Sequence, residues 1–334
     1  MDQRYCHRSD FPSQSVARHR QGSQQVVRFT LFSLKGGVGR STSAAVMAQH
    51  WAERGKRVLV VDLDLESPGV SSLLLDPREY PDFGVVDWFV EDLVGQGDEV
   101  VKRMTARPAW AQQLRGDVLV APALARARGE YLAKLGRVYL DLPPKQLGQQ
   151  AEPWLDRLRG LMAGLEGRVQ PDVVLIDSRN GLSDIGAAAL AGLDAQLLLF
   201  AVDSEATWSG YRVLFEHWNS FGTAGSVRER LATVAALVPE TRGEEYLESF
   251  RQHAWDLFRD TLYDEAPANA DAGEDLFTFD LNDETAPHWP APIFWNRGLA
   301  GGPAIYNVER ESVALAYQRF LDRMDQLYAP GAAR

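Results

Sequence analysis

Cysteine is almost absent. Cys6 is the only one in 334 residues, which excludes an internal disulfide framework and any multi-cysteine metal site. Long apolar runs are missing too: no stretch approaches the ~18 residues that a membrane-spanning helix needs. The first 25 residues, MDQRYCHRSDFPSQSVARHRQGSQQ, lack the apolar segment of a secretory signal, so the cytoplasm is the expected compartment. The six histidines are scattered, with no His-x-x-x-His or His-x-x-Glu-His pattern, which argues against a zinc hydrolase. Cys6 lies in the expected mobile leader, a poor place for a nucleophile. The "WSG" at 208–210 lacks the pattern of a hydrolase nucleophile elbow. Neither internal repeats nor low-complexity tracts occur.

What is present is an ordinary globular balance, 45% hydrophobic and 24% charged, with ample material for a large core. The net charge of −11 is uneven. Residues 240–290 hold fourteen Asp/Glu against three Lys/Arg, and residues 1–28 hold five Arg against two Asp. The acidic stretch reads first as a solvated insertion or flexible loop, with an acidic docking surface as the alternative. The basic leader is too short and too poor in aromatics to mark a nucleic-acid-binding arm.

Short runs of aliphatic residues recur along the chain: VVRFTLFS (26–33), KRVLVVDLD (56–64), GDVLVAPA (116–123), PDVVLIDS (171–178), AQLLLFAVD (195–203), LATVAALVP (231–239) and, more weakly, APIFW (291–295). They read as buried parallel strands, because alternation with polar residues is missing. Helical patterns lie between them. This predicts an α/β fold with a doubly wound, mostly parallel sheet covered by helices on both faces. Residues 1–24 are expected to be a flexible basic leader, and 25–330 a single domain with helical or acidic insertions near 76–115, 124–165 and 240–290. The helix expected near 310–328 carries Val313, Tyr317, Phe320, Leu321, Met324, Leu327 and Tyr328 on one stripe, with Asp322, Arg323 and Asp325 opposite. It lacks the strongly basic face of a membrane-surface helix.

The chemistry sits in "KGGVGRST" (35–42), between the first strand and a helix. A phosphate chain needs converging backbone N–H groups, little side-chain bulk and a cation. Gly36, Gly37 and Gly39 remove the side chains that block close approach. The helix starting near Ser41 aims its free amides at the same point. Ser41 offers a hydroxyl to Mg²⁺ and Thr42 a donor to another phosphate. The strand before, the helix after and the basic-Ser-Thr ending make a plain tight turn a poor account of the segment.

These residues resemble the deviant Walker A motif of the ParA/MinD family of P-loop ATPases, in the Lys-Gly-Gly-Val-Gly-Arg variant. The resemblance implies a P-loop NTPase fold, ATP and Mg²⁺ as ligands, and Gly36, Gly37, Val38, Gly39, Arg40, Ser41 and Thr42 as the phosphate cradle. Lys35 falls on the family's signature lysine, which reaches the partner's phosphates in a nucleotide-sandwich dimer. "VLVVDLDLESPG" looks like the second motif, with Asp64 orienting the attacking water near Mg²⁺. "PDVVLIDSRNGLSD" is similar to the Walker B strand and switch segment, with Asp177 holding Mg²⁺ through water and Arg179 and Asn180 in the switch. Ser41, Asp64 and Asp177 are thus the expected metal site, and Lys35, Arg40 and Asp64 the expected catalytic set. The motifs cover residues 26–205; beyond them only the alternating pattern is similar.

Two readings from the residues themselves stand beside this. Asp64 lies at the carboxyl end of a strand next to the loop, where open α/β sheets bind ligands. Asp177 ends a run of buried aliphatics, and a charge there wants a metal or a hydrogen-bond network. Asp62 reads as structural; for Glu66 a place as a second carboxylate near the metal is the lesser alternative. The guanine-reading Asn-Lys-x-Asp and Thr-Lys-x-Asp elements are missing, which favours ATP over GTP. Pro239, Trp295 and Asn296 occupy regions where the family contacts adenine.

Arg40 departs from the family's lysine. It keeps the charge but is larger, planar and bidentate. Since a misplacement of about 1 Å can cost ~10²-fold in rate, hydrolysis is expected to be slow. The sequence therefore predicts a slow ATPase acting as a nucleotide-dependent dimerisation switch for an unidentified protein partner. The alternatives are a non-hydrolysing nucleotide sensor or scaffold and an ATP-dependent metabolic enzyme of the same fold. The negative net charge argues against nonspecific DNA binding, and no membrane partner is expected.

Overall fold

The seven aliphatic runs form one sheet. In the computed structural model, which describes residues 26–142, 150–265 and 276–329, the strands are β1 (Val27–Ser33), β2 (Arg57–Leu63), β3 (Asp117–Ala121), β4 (Val173–Ser178), β5 (Gln196–Ala201), β6 (Leu231–Val238) and β7 (Ala291–Phe294). The order is β3-β2-β4-β1-β5-β6-β7, and every pairing is parallel. The helices are α1 (Arg40–Glu53), α2 (Val70–Leu74), α3 (Val85–Asp92), α4 (Gly97–Val101), α5 (Tyr131–Leu135), α6 (Trp154–Val169), α7 (Asp184–Gly192), α8 (Glu205–Ser220), α9 (Ala224–Arg228), α10 (Gly243–Thr261) and α11 (Arg310–Tyr328). The leader expected at 1–24 lies outside the described residues.

Successive strand residues feed opposite faces, which is why the runs are apolar throughout. Val58 and Val60 join Phe29 and Leu31 in a core roofed by α1, α2 and α11. Leu59 and Val61 face the other way, onto α3, α4 and α6. On that second face, beyond β1, Phe32, Leu197 and Leu199 meet Tyr211 and Phe215 of α8 and Phe250 of α10. The sheet is thus covered on both sides, as expected.

The acid-rich stretch departs from the solvated loop expected of it. Residues Gly243–Thr261 form α10, which buries Leu247, Phe250, Ala254, Leu257 and Phe258 and keeps its carboxylates on the solvent side. The apolar periodicity, not the net charge, decides its state. Residues 266–275 of the same stretch lie outside the described set. In α11 the stripe is buried as expected, at Tyr317, Phe320, Leu321 and Met324. Asp325, expected on the opposite face, instead accepts from Trp51 Nε1 at 2.8 Å and meets His50 Nε2 at 3.0 Å, tying α11 to α1.

Candidate functional site

The site is built where β1, β2 and β4 end. β4 lies between β1 and β2, and its register sets Leu31, Asp177 and Asp62 side by side. β1 continues from Ser33 into the glycine loop, while β2 runs on to Asp64. Here the chain's crossovers diverge to the two halves of the sheet, the place where open α/β sheets bind ligands.

The loop has the conformation that its glycines predict. Gly37 and Gly39 adopt φ of +79° and +82°, a left-handed region in which an L side chain is strained. At Gly36 the constraint is different: a Cβ there would lie 3.1 Å from Asn180 Nδ2, in the segment after β4, and that side chain would have to shift. Gly181 donates its amide to Ser33 O at 3.0 Å, so this segment lies against the loop's root. Lys35, Gly36 and Gly37 are exposed. Val38 turns its side chain into the core, leaving only its backbone to face a ligand.

α1 starts at Arg40, and Ser43 N reaches Gly39 O at 2.8 Å. The amides of Gly39, Arg40, Ser41 and Thr42 therefore have no acceptor within the helix, and the positive end of its dipole faces the loop. Ser41 and Thr42 are half-buried. The Ser41 hydroxyl faces Gly69, where a Cβ would come within 3.0 Å. Ser43 Oγ donates to Tyr317 OH at 3.3 Å, a contact to α11 that no local sequence signal announces.

Arg40 turns inward. Its Nε donates to Asp177 Oδ1 and its Nη2 to Asp64 Oδ2, both at 2.6 Å, and Nη1 reaches Ser33 Oγ at 3.3 Å. The Arg40 side chain is only 6% exposed. Burial opposes its charge, yet the two carboxylates offset this and raise its pKa above that of an ordinary arginine. Burial pushes the Asp64 carboxyl above its usual range, and Arg40 pulls it only part of the way back. Asp62, fully buried beside Asp177, accepts from Ser71 Oγ at 2.7 Å. Burial, and then the charge of Asp177, push its pKa up to about 8, so it is mostly protonated at neutral pH.

This arrangement bears on the expected metal set. The structure brings Asp64 and Asp177 together, but a guanidinium occupies the space between them. Only Asp177 Oδ2 is left without a partner. Among the described residues, no group of three or more His, Cys, Asp or Glu side chains is placed to hold a metal ion. As arranged, Asp64 and Asp177 are not free to ligate a divalent ion, because a permanent cation is paired with both. Glu66, read as a further carboxylate, instead pairs with Arg179 at 3.0 Å and accepts from Tyr139 OH at 2.7 Å.

Pro239 and Asn296 stand at the carboxyl ends of β6 and β7, two and three strands from β1. Pro239 is exposed, and Trp295 is 43% exposed. Asn296 Oδ1 accepts from Gly298 N at 2.8 Å, so its oxygen is committed to the following turn. Leu237, just before Pro239, has φ +55° at an irregularity in the β6–β7 ladder.

A parallel sheet with a glycine loop between β1 and α1 defines a nucleotide-binding P-loop domain. Residues 29–252 match the family model of the CobQ/CobB/MinD/ParA nucleotide binding domain, and the chain belongs to that family. Among solved structures, it is similar to pNOB8 ParA bound to nonspecific DNA, with a TM-score of 0.53, 14% identity, and coverage of 91% of this chain and 97% of that one. It is also similar to the MinD cell division protein of Aquifex aeolicus, with a TM-score of 0.50, 13% identity, and coverage of 90% and 97%. At these identities the likeness is one of fold. A protein named as a replication protein A in Rhizobium rhizogenes shares 48% identity over 46 residues, 14% of this chain and 11% of that relative's length. No helix among the described residues is long and apolar enough to cross a membrane.

Proposed function

We propose that the chain is an ATP-binding switch with very slow turnover. The loop amides and the α1 dipole hold the phosphates. Two copies close face to face, each Lys35 completing the other's site. Closure presents a surface to a protein partner, and the net charge of −11 favours protein over DNA. The observation that carries this reading is the contrast between two cations. Lys35 is exposed at the loop, free to reach outward, whereas Arg40 is buried and pinned by Asp64 and Asp177. A pinned guanidinium cannot follow a transferring phosphoryl group, and a carboxylate paired with it is poorly placed to orient water. The same pinning supports the second reading, a sensor or scaffold that binds nucleotide without hydrolysing it.

Light scattering with and without ATP tests the switch. Mass is expected to double in ATP for the parent and to stay monomeric for Lys35→Ala, which still binds nucleotide. A Lys35→Ala chain that dimerises like the parent defeats the proposal. Turnover separates the two readings: measurable hydrolysis that Asp64→Ala abolishes, with binding retained, removes the sensor.

A further inference from the structure

We propose that Arg40 is the resident cation of this site, standing in for a divalent metal, so that the loop takes its nucleoside di- or triphosphate without one. The inference rests on the nucleotide-binding reading above.

Position comes first. Two carboxylates from neighbouring strands converge on one guanidinium, each at 2.6 Å, and Ser33 Oγ, at the end of β1, meets its third nitrogen at 3.3 Å. A planar fork matches two carboxylates in a way that a lysine ammonium does not. Permanence comes second. Arginine does not lose its proton in proteins, so its charge cannot be titrated away to admit a metal ion. Withdrawing the side chain would strand the fully buried Asp177 and leave Asp64, also almost fully buried, with only the Ser67 amide at 3.3 Å. Breaking a buried pair on one side only is among the more destabilising changes a core can undergo.

The phosphate contacts that remain need no metal. They are the amides from Gly36 to Thr42, the dipole of α1 and the exposed Lys35. Around the guanidinium stand the two carboxylates that it already engages. A divalent ion arriving here meets a fixed positive charge where it would otherwise find two free carboxylates. In the opposing account, nucleotide draws Arg40 out onto the phosphates and frees both carboxylates for the metal. The two accounts predict opposite responses to chelation.

The experiment uses the full chain. ATP and ADP affinities are measured by calorimetry in millimolar Mg²⁺ and in EDTA, and Mn²⁺ binding is followed by electron paramagnetic resonance, alone and with nucleotide. The expected result is an ATP affinity that changes less than about threefold between the two buffers, with no immobilised Mn²⁺. Arg40→Gln is expected to bind Mn²⁺ where the parent does not. A loss of ~10-fold or more in EDTA, or Mn²⁺ held in a complex of the parent with ATP, overturns the proposal. If Arg40→Gln fails to fold by circular dichroism, Arg40→Lys carries this arm. It is expected to make ATP binding depend on Mg²⁺, and unchanged EDTA insensitivity in it counts against Arg40. Absence of nucleotide binding in both buffers defeats the switch and sensor readings instead, while the Mn²⁺ titrations of the parent and variant still decide the role of Arg40.

Discussion

Asp62 and Asp177 lie directly opposite each other on β2 and β4, both fully buried. Burial, and then the charge of Asp177 beside it, raise the pKa of Asp62 to about 8. Asp177 has Arg40 and Asp62 has the Ser71 hydroxyl. The two aspartates therefore differ sharply in what an amide can replace. Asp62→Asn is expected to change stability by less than about 1 kcal/mol, since a neutral group replaces a largely neutral one. Asp177→Asn is expected to cost about 3 kcal/mol, because it leaves a buried guanidinium half-paired. Urea denaturation of both variants checks this, and equal losses would refute it.

The glycines of the loop act by two mechanisms that substitution separates. Gly37 has open space around it but φ of +79°. Gly37→Ala is expected to cost about 1–2 kcal/mol through backbone strain, whatever the ligand. At Gly36 the obstacle is Asn180, 3.1 Å from the position of a Cβ. Gly36→Ala is expected to leave stability within about 0.5 kcal/mol of the parent but to displace the switch segment. A double change, Gly36→Ala with Asn180→Ala, should restore the parent's response to nucleotide, read as protease protection of residues 178–183.

His288 makes stability depend on pH. Its ring is fully buried, accepts from Tyr263 OH through Nδ1 and donates to Leu281 O at 3.1 Å. Burial lowers its pKa below the ordinary 6.5, with Asp283 and Arg251 acting in opposite directions. The folded chain thus keeps the ring neutral where the unfolded chain takes up a proton. Its contribution is complete above 6.5 and is lost as pH falls through and below that value. This loss between about pH 7.5 and about pH 5.5 runs against the gain from Asp62, whose folded carboxyl stays protonated where the unfolded one is ionised. His288→Gln should lower the midpoint at both values and shift its pH slope by removing the His288 share. An unchanged slope would remove His288 as its source.

Leu237 holds a backbone conformation that costs a branched side chain about 1–2 kcal/mol, and it is 39% exposed. Leu237→Gly relieves that strain, and the added freedom of glycine in the unfolded chain offsets about half of the gain. A net stabilisation of about 0.5–1 kcal/mol is expected by thermal unfolding. A loss of the same size would mean that Leu237 packs more than it strains.

Much of this molecule is legible from its residues because the governing rules are local. Strands buried on both faces must be aliphatic throughout, so their number and parallel pairing follow from the seven runs. A loop that approaches phosphate must shed its side chains, so Gly36, Gly37 and Gly39 announce themselves. The direction of Arg40 is a different matter. It depends on β2 and β4 bringing Asp64 and Asp177 within one guanidinium's span, more than a hundred residues apart in sequence. In α10 the composition hides the periodicity that decides the outcome. Fourteen carboxylates in 240–290 concealed the spacing of Leu247, Phe250, Ala254, Leu257 and Phe258.

The clasp between α11 and α1 joins residues 274 apart, Ser43 to Tyr317 and Trp51 to Asp325. Until α11 has been made, the face of α1 that carries Trp51 lacks this cover. The nascent chain therefore exposes an apolar patch long after α1 itself has been translated, and the phosphate loop lacks the support that α11 gives. A chaperone able to shield that surface during translation bears directly on the yield of folded protein.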